Sequence, residues 1–380
     1  MSEAARPSLG RLFPQTRGLV ARQADRYLIL SGSGARATIE GSLCAEVEAS
    51  LARGAPTPAL LRLAPAHASL QELASWLATP SVPLTPLDVV RLDGFDTLFV
   101  ELLGRCNERC VHCYADAAPT VTASLDRATA LSVIEQARAL GFRRIQLTGG
   151  DPLLCDFLTD ALCHARAVGI EHVEIYTNGL ALTDELLADL APARPAFAFS
   201  IYSADPDAHD RITRTPGSHR RTLSAIDRVV ARELPVRAAI IVVDHATDVA
   251  ALIELLNARG VAEISVSRTF SVGRGVEHAV SSQELALAAR PSEGGGHRAT
   301  NARSDGKLCV MYTGDVVPCI FQRTSVLGNV RDGSLLEILM APRMPREPRG
   351  LPLAEEATRR LQCTSCRVTE VGLALLREAR

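Results

Sequence analysis

Residues 104–114 read Gly-Arg-Cys-Asn-Glu-Arg-Cys-Val-His-Cys-Tyr and place three cysteines, Cys106, Cys110 and Cys113, at the spacing Cys-x3-Cys-x2-Cys. A [4Fe–4S] cluster has four irons and is usually closed by four thiolates. Three thiolates therefore leave one iron open to bind another molecule, as the open position of a catalytic metal site does. A zinc site or a disulfide is the alternative, although zinc ligands usually come as two Cys-x2-Cys pairs.

Composition limits the classes of protein to which this chain can belong. Its 380 residues suggest roughly two or three domains, and 47% hydrophobic residues supply sizeable cores. The net charge of −2 gives no reason to expect binding to nucleic acid or to a membrane. No apolar run reaches the ~18–20 residues of a membrane span, and the first residues lack the apolar core of a signal peptide. We therefore expect a cytoplasmic protein, in which ten cysteines indicate metal clusters rather than disulfides.

The first 90 residues have the pattern of a small, separate α+β domain. Its predicted elements are strands over 26–30 and 37–40, which flank a Ser-Gly turn, and helices over 42–51 and 70–77. A proline-rich stretch over 80–86 follows and is typical of a linker.

From about residue 94 to 270, strand and helix patterns alternate. The predicted strands cover 97–103, 144–148, 173–177, 197–202, 236–243 and 263–267. The predicted helices cover 125–140, 154–167, 184–190, 220–233 and 248–259. About six βα units predict a parallel sheet or an incomplete barrel, because a complete barrel needs eight. The three cysteines directly follow the first strand, at the strand ends where such folds hold their active sites.

The cysteine spacing resembles the cluster motif of the radical S-adenosylmethionine (radical SAM) enzymes. The resemblance implies that the open iron chelates S-adenosylmethionine (SAM). It further implies that an electron from the cluster cleaves SAM to a 5′-deoxyadenosyl radical, which abstracts hydrogen from a substrate. It also implies a partial (β/α)6 TIM-like barrel, here over residues 91–290, in agreement with the predicted βα units.

The end of the second predicted strand resembles another family motif. Residues 148–152 read Thr-Gly-Gly-Asp-Pro where the family has Gly-Gly-Glu-Pro. The resemblance implies that Gly149 and Gly150 let the backbone approach the cofactor. It also implies that Asp151, one methylene shorter than glutamate, faces the methionyl ammonium of SAM. A plain turn is the alternative for this motif alone.

Three further positions resemble cofactor-binding positions of the family. Asn178 follows the third strand, and Ser200, in the fourth strand, would bind the ribose or methionyl part of SAM. His112 stands where the family usually has an aromatic residue against the adenine. The alternatives are a common Asn-Gly turn and a serine that only satisfies backbone. Residues 205–211 resemble a loop of peptide-modifying members, or are simply a solvated helix start.

Four cysteines near the C-terminus form a second group. They are Cys309, Cys319, Cys363 and Cys366, and the first two enclose Gly314 in the pattern Cys-x4-Gly-x4-Cys. This resembles the SPASM/twitch extension of radical SAM enzymes, here over residues 291–380. Four cysteines instead of the seven of a full SPASM domain imply the shorter twitch form with one auxiliary [4Fe–4S] cluster. A zinc ribbon is the alternative.

Three cysteines remain outside both groups. Cys44 and Cys163 are predicted to be small core residues. Cys155 lies four residues after Asp151. It is either buried packing or a donor of a hydrogen atom to a substrate radical, as in radical epimerases.

The resemblance implies a radical SAM enzyme whose substrate is a precursor peptide or a small molecule and whose electron donor is a flavodoxin or a ferredoxin. We expect maturation of a ribosomally made peptide by cross-linking or oxidation. Residues 1–90 weakly resemble the winged-helix domain that binds leader peptides by strand addition. The alternative is a dehydrogenase or epimerase of a sugar or aminocyclitol, and a third hypothesis is a zinc-bound scaffold without activity.

Overall fold

The structure, a computed structural model of the chain, describes residues 10–23, 26–30, 36–83, 85, 88, 95–243, 247–278 and 307–340. These residues divide into two compact units, one within residues 1–93 and the other within residues 94–338. The predicted cysteine ligands Cys363 and Cys366 lie outside the described residues. The division into three domains stays a prediction.

The first unit is an α+β domain, as predicted. Its strands are β1 (Gly10–Phe13), β2 (Gly18–Gln23), β3 (Arg26–Leu30), β4 (Arg36–Glu40) and β5 (Val82–Pro83). They form one antiparallel sheet in the order β4-β3-β2-β1-β5. Its helices are α1 (Leu43–Arg53), α2 (Pro58–Leu63) and α3 (Ala68–Trp76), with a 3-10 turn at Ala64–Ala66.

Strands β1 and β2 and helix α2 are absent from the sequence prediction. A tertiary contact explains part of this, because Gly18 starts β2 directly under the ring of Trp76. A Cβ atom at residue 18 would lie 2.6 Å from that ring. Phe13 packs on the same ring at 5.8 Å between centroids. The strands therefore depend on a helix more than fifty residues away in the sequence, which a local pattern does not show.

The second unit alternates strands and helices. Its strands are β6 (Thr97–Leu103), β7 (Arg144–Gly149), β8 (His172–Thr177), β9 (Ala196–Ile201), β10 (Val236–Val242), β11 (Glu263–Arg268), β12 (Lys307–Val310), β13 (Asp315–Val317) and β14 (Gly328–Asn329). Its helices are α4 (Arg127–Leu140), α5 (Leu158–Ala167), α6 (Asp184–Leu190), α7 (Pro206–Thr213), α8 (Ser218–Ala231), α9 (Val249–Asn257) and α10 (Leu335–Met340). Short 3-10 segments cover Pro152–Leu154, Ala191–Ala193 and Gly273–His278.

Local chemistry explains where these helices begin. The side chains of Asp126, Thr183, Asp205 and Asp248 each accept a hydrogen bond from a backbone N–H in the first turn of the helix that follows. The predicted helix over 154–167 instead starts at Leu158, because Asp151 caps a separate 3-10 turn before it. Residues 206–213 form a helix, so the helix-start interpretation of 205–211 is confirmed, although His209 within it is buried.

The sheet of the second unit has the order β11-β10-β9-β8-β7-β6-β12-β13-β14 among the described residues. Strands β6 to β11 are parallel, and their carboxyl ends form one edge. Strand β12 pairs in parallel with β6, and Cys309 of β12 lies opposite Phe99 of β6. Strands β12 and β13 pair antiparallel and form the C-terminal hairpin, which is therefore continuous with the parallel sheet. The predicted α/β class with six parallel strands is confirmed.

Candidate functional site

The three cysteines of residues 104–114 lie where β6 ends. Cys106 and Cys110 are buried and Cys113 is partly buried. All three line a cavity of about 640 Å³, which runs along the inner face of the parallel strands. The predicted residues His112, Asn178 and Ser200 line the same cavity. Tertiary structure thus brings together side chains from three strand ends.

Hydrogen bonds hold two of these thiols, those of Cys106 and Cys110, in defined positions. The backbone N–H of Glu108 and the side-chain amide of Asn178 donate to Cys106 Sγ at 3.5 and 3.7 Å. Cys110 Sγ donates to a Glu108 carboxylate oxygen at 3.3 Å. Burial raises the pKa of Cys106 and Cys110, so neither loses its proton readily without a cation beside it. A metal cluster supplies such a cation, and N–H donors to sulfur tune its reduction potential.

The donor set, three thiols of one loop, is of the kind that holds an iron–sulfur cluster. Within the described part of the chain, no three His, Cys, Asp or Glu side chains converge as the ligands of a single ion would. The three cysteines are also free of disulfides.

Gly149 and Gly150 serve a packing role that the sequence did not suggest. Gly149 has a φ of +120°, and a Cβ atom there would lie 2.4 Å from the carbonyl oxygen of Leu103. At Gly150 the Cβ would lie 1.9 Å from the carbonyl oxygen of Arg105. The glycines therefore let the end of β7 press against the start of the cysteine loop. Both also line the cavity, so their contact with a cofactor stays a prediction.

Asp151 is fully buried, and protein groups surround its carboxylate. Its oxygens accept hydrogen bonds from Thr177 Oγ1 at 2.7 and 2.9 Å, from the N–H of Leu153 at 2.9 Å and from the N–H of Asn178 at 3.1 Å. Burial raises its pKa even though these donors act in the opposite direction. Asp151 thus joins the ends of β7 and β8. The predicted contact with the SAM ammonium stays a prediction.

Asn178 and His112 complete the wall of the cavity near the cysteines. The Asn178 side chain donates to Asn107 Oδ1 at 2.7 Å and so bridges β8 and the cysteine loop. The His112 ring packs edge-on against Tyr202 at 4.6 Å, and burial lowers its pKa to about 3. Its Nδ1 atom is buried without a hydrogen-bond partner among the described residues. Burial thus keeps this imidazole neutral, and its contact with the adenine of SAM stays a prediction.

Sequence reasoning missed Glu108, although it lies between two of the cysteines. Glu108 is 2% exposed, and burial raises its pKa to about 7. Ser218 donates a short hydrogen bond to its second carboxylate oxygen, and Ser218 also lies 3.3 Å from His209 Nε2. Helices α7 and α8 are thereby tied to the cysteine loop. The sequence offered one signal for this residue, namely a charged side chain between two metal-ligating cysteines.

Arg274 is a second residue that the sequence did not reveal. Its guanidinium donates to the carbonyl oxygen of Cys110 at 2.9 Å and to that of Ala117 at 2.8 Å. Its backbone N–H donates to the carbonyl oxygen of Cys113 at 3.1 Å. Arg274 therefore braces the cysteine loop from the segment after β11. Because 164 residues separate it from Cys110, no local pattern indicates this contact.

The described half of the C-terminal cysteine group lies behind the wall of the same cavity, because Cys309 packs with Phe99 and Ile320, which line it. Cys309 and Cys319 are buried and form no disulfide. Burial and the nearby Glu101 raise the pKa of Cys309, and Cys319 acts in the same direction. Arg323 follows them and forms a buried ion pair with Glu101 of β6. Cys309 and Cys319 could thus supply two ligands of an auxiliary cluster. The other two predicted ligands, Cys363 and Cys366, lie outside the described residues.

The remaining cysteines differ in their surroundings. Cys44 is partly buried and packs on the core of the first unit, as predicted. Cys163 is exposed on α5, so the prediction of a core residue was wrong. That position falls outside the buried stripe of the helix, which is formed by Leu158, Ala161, Leu162 and Ala165. Cys155 is partly buried and is not among the described residues that line the cavity.

Comparison with known families agrees with this site. Residues 100–257 match the radical SAM superfamily, and this segment contains the cysteine loop and its supporting strands. This segment of the chain is therefore a radical SAM domain. Residues 303–367 match the SPASM iron–sulfur cluster-binding domain, so the chain also carries a C-terminal SPASM domain. The radical SAM domain implies a [4Fe–4S] cluster and SAM, and the SPASM domain implies auxiliary iron–sulfur clusters.

Individual relatives are similar over part of their length. The GTP 3′,8-cyclase of Chlorobaculum tepidum is 31% identical over 137 residues, which is 36% of this chain and 41% of that protein. The PqqA peptide cyclase of Methylocella silvestris is 29% identical over 182 residues, or 47% of this chain and 48% of that protein. The chain thus spans about half or less of the curated relatives it matches.

A solved structure extends the similarity of fold to almost the whole chain. Streptococcus suis SuiB bound to its precursor peptide SuiA superposes with a TM-score of 0.53 at 12% identity, covering 96% of this chain and 94% of that one.

In the portion of the chain that the structure describes, no helix is long and apolar enough to span a membrane.

Proposed function

We propose that this chain is a maturase that abstracts hydrogen from a ribosomally made peptide and oxidises the product to a cross-link or an unsaturated residue. One observation carries the proposal: the cysteine loop and residues of the SPASM segment, Ile320 and Phe321, line one cavity. When bound there, SAM and the [4Fe–4S] cluster of the cysteine loop would supply a 5′-deoxyadenosyl radical, and an auxiliary cluster would supply an acceptor for the second electron.

The residues of the chain have distinct roles in this proposal. Cys106, Cys110 and Cys113 would hold the cluster with the open iron, while Asn178 and Arg274 keep their loop in place. His112 and Ser200 would contact SAM along the cavity wall. Burial of Cys106 and Cys110 keeps water away from these two ligands, and exclusion of water protects a radical from side reactions.

Peptide substrates are supported by two further observations. The PqqA peptide cyclase is a sequence relative, and the α+β unit within residues 1–93 presents β4 at the edge of its sheet. An edge strand offers backbone groups to which an extended peptide can add. We propose that the substrate is a precursor peptide whose leader adds to β4, and that a flavodoxin or ferredoxin supplies electrons in the cytoplasm.

The alternative, a dehydrogenase or epimerase of a small natural product, draws less support. A redox-neutral epimerase needs a hydrogen-atom donor close to the substrate, and Cys155 is the predicted donor. Since Cys155 is absent from the described lining of the cavity, its geometry does not favour this function.

Anaerobic assay of 5′-deoxyadenosine, with iron counted on the same sample, tests the proposal. We expect product from the wild type and none from Cys106→Ala, whereas Cys163→Ala, which removes an exposed cysteine, leaves both readings unchanged. Changing Cys309 and Cys363 together should lower iron from about eight toward about four per chain. Product from Cys106→Ala would refute the radical assignment, and unchanged iron in the double variant would refute the auxiliary cluster.

Peptides encoded beside the gene supply the substrate test. A peptide that loses about two mass units on turnover supports the maturase, because one hydrogen atom leaves to the radical and another as a proton and an electron. Quantitative conversion of a sugar with no peptide activity would overturn it.

A further inference from the structure

Two phenylalanines, Phe270 and Phe321, stack at the edge of the cavity. Their ring centroids are 4.1 Å apart and their planes differ by 25°. Phe270 follows β11, at one end of the sheet order, and Phe321 follows β13, near the other end. The stack therefore connects two parts of the sheet that lie far apart in the order of its described strands.

The surroundings of this pair differ from those of a purely structural stack. Phe197 and Phe199 also stack, with centroids 6.0 Å apart, and both are 0% exposed. Phe270 and Phe321 are only partly buried, and both line the cavity that contains the cysteine loop. They thus present aromatic surface to whatever enters that cavity.

Neighbouring side chains extend the pair into an aromatic wall, which we define as Phe270, Phe321 and Tyr114. The Tyr114 ring meets Phe321 edge-on, with centroids 5.6 Å apart. Tyr114 directly follows Cys113, and Phe321 lies two residues after Cys319. The wall therefore lies between the two cysteine-bearing segments.

Charge on this wall limits what it binds. The guanidinium of Arg268 lies 5.4 Å from the centroid of Phe270, and that of Arg323 lies 5.6 Å from the centroid of Tyr114. Aromatic rings attract cations, and these two guanidinium groups already take up the cation positions over Phe270 and Tyr114. A further aromatic ring needs no such position and gains from stacked or edge-to-face contact with the wall.

We propose that the aromatic wall binds an aromatic side chain of the substrate and holds it beside the cysteine loop. This inference rests on the proposed function and deepens it, because it names the class of side chain that enters the cavity. Phe270 and Phe321 then determine specificity without taking part in the chemistry.

Saturation-transfer-difference NMR on the full, anaerobically reconstituted chain tests this directly. The probes are N-acetyl-L-phenylalaninamide, N-acetyl-L-leucinamide and N-acetyl-L-lysinamide. We expect the aromatic amide to bind most tightly. Phe321→Ala and Phe321→Leu should weaken its binding about two- to tenfold, the range expected for loss of one aromatic contact. Phe321→Tyr, which keeps a ring, should retain binding.

A matched control is the stack of Phe95 and Phe142, with centroids 4.8 Å apart, which is not among the described lining of the cavity. Phe142→Leu should leave binding of the probe unchanged. Equal binding of the three amides, or equal loss in Phe142→Leu and Phe321→Leu, would overturn the proposal. The measurement does not depend on SAM cleavage, so a chain that makes no 5′-deoxyadenosine would refute the proposed function and leave this preference measurable.

Discussion

Glu101 and Arg323 form a two-pronged ion pair buried within the second unit. Arg323 Nη2 donates to Glu101 Oε2 at 3.1 Å, and its Nη1 donates to the other carboxylate oxygen. Glu101 is 0% exposed and Arg323 is 5% exposed. Because Glu101 belongs to β6 and Arg323 follows the C-terminal hairpin, this pair ties the SPASM segment to the strand that carries the cysteine loop.

Removing one partner of this pair should be costly. We expect Arg323→Met to lower the free energy of unfolding by about 3–5 kcal/mol, because Glu101 is left buried without a counter-charge. Urea unfolding measures this. Adding Glu101→Leu should recover much of the loss, since no lone charge remains. The exposed Arg143–Glu171 pair is the control, and Arg143→Met should change little. Equal losses in both single variants would contradict the interpretation.

Arg274 should control how firmly the cysteine loop holds its cluster. In Arg274→Ala the carbonyl oxygens of Cys110 and Ala117 lose charged donors, so the loop is free to move. We expect iron to be lost to a chelator about tenfold faster than from the wild type, in line with the typical worth of a charged hydrogen bond. Arg127→Ala, which removes a surface ion pair with Asp160, is the control and should keep the wild-type rate.

Asp151 allows a structural role to be separated from cofactor contact. We expect Asp151→Asn to lower the free energy of unfolding by about 1–3 kcal/mol, because an amide NH2 cannot accept from Thr177 or from the N–H of Asn178. Asp151→Glu should cost about as much, since it adds a methylene at a position that is 0% exposed. Urea unfolding and SAM binding are measured in parallel. Unchanged stability with weakened SAM binding would instead favour direct contact with the ammonium.

His209 should make stability depend on pH. Burial lowers its pKa to about 3, with His219 acting in the same direction, whereas an unfolded histidine has a pKa of about 6.5. Between these values the unfolded chain binds more protons, so the free energy of unfolding falls as pH drops. From pH 7 to 5.5 the loss from this group is roughly 1 kcal/mol.

Substituting this histidine gives the test. His209→Gln should flatten the pH dependence of the free energy of unfolding over that range, and His67→Gln, at an exposed position, should not. Identical slopes in the wild type and His209→Gln would show that His209 takes up its proton in the folded protein.

Features that depend on neighbours in the sequence could be predicted well. The alternation of strands and helices in the second unit follows from hydrophobic periods that each segment carries itself. The spacing of Cys106, Cys110 and Cys113 fits one loop after one strand, which the structure shows. The prediction for Cys163 was wrong for a physical reason. A cysteine on an amphipathic helix can lie on the buried or the exposed face, and only the packed structure shows which.

Contacts across long stretches of chain could not be predicted. Arg274 reaches Cys110 over 164 residues, and Arg323 reaches Glu101 over 222. The stack of Phe270 on Phe321 likewise needs the C-terminal hairpin to continue the sheet beside β6. The order of the strands in the sheet decides which distant residues become partners. The residues next to each partner in the sequence do not indicate that order.

The sequence by itself determined the chemistry: three thiols at the end of a strand provide an open cluster site, because ligand type and spacing are properties of the chain. Tertiary structure alone decided the shape and lining of the cavity around that site. It buried Glu108, set Asp151 between two strand ends and brought an aromatic wall to the cysteines, because packing side chains distant in sequence is what defines a cavity.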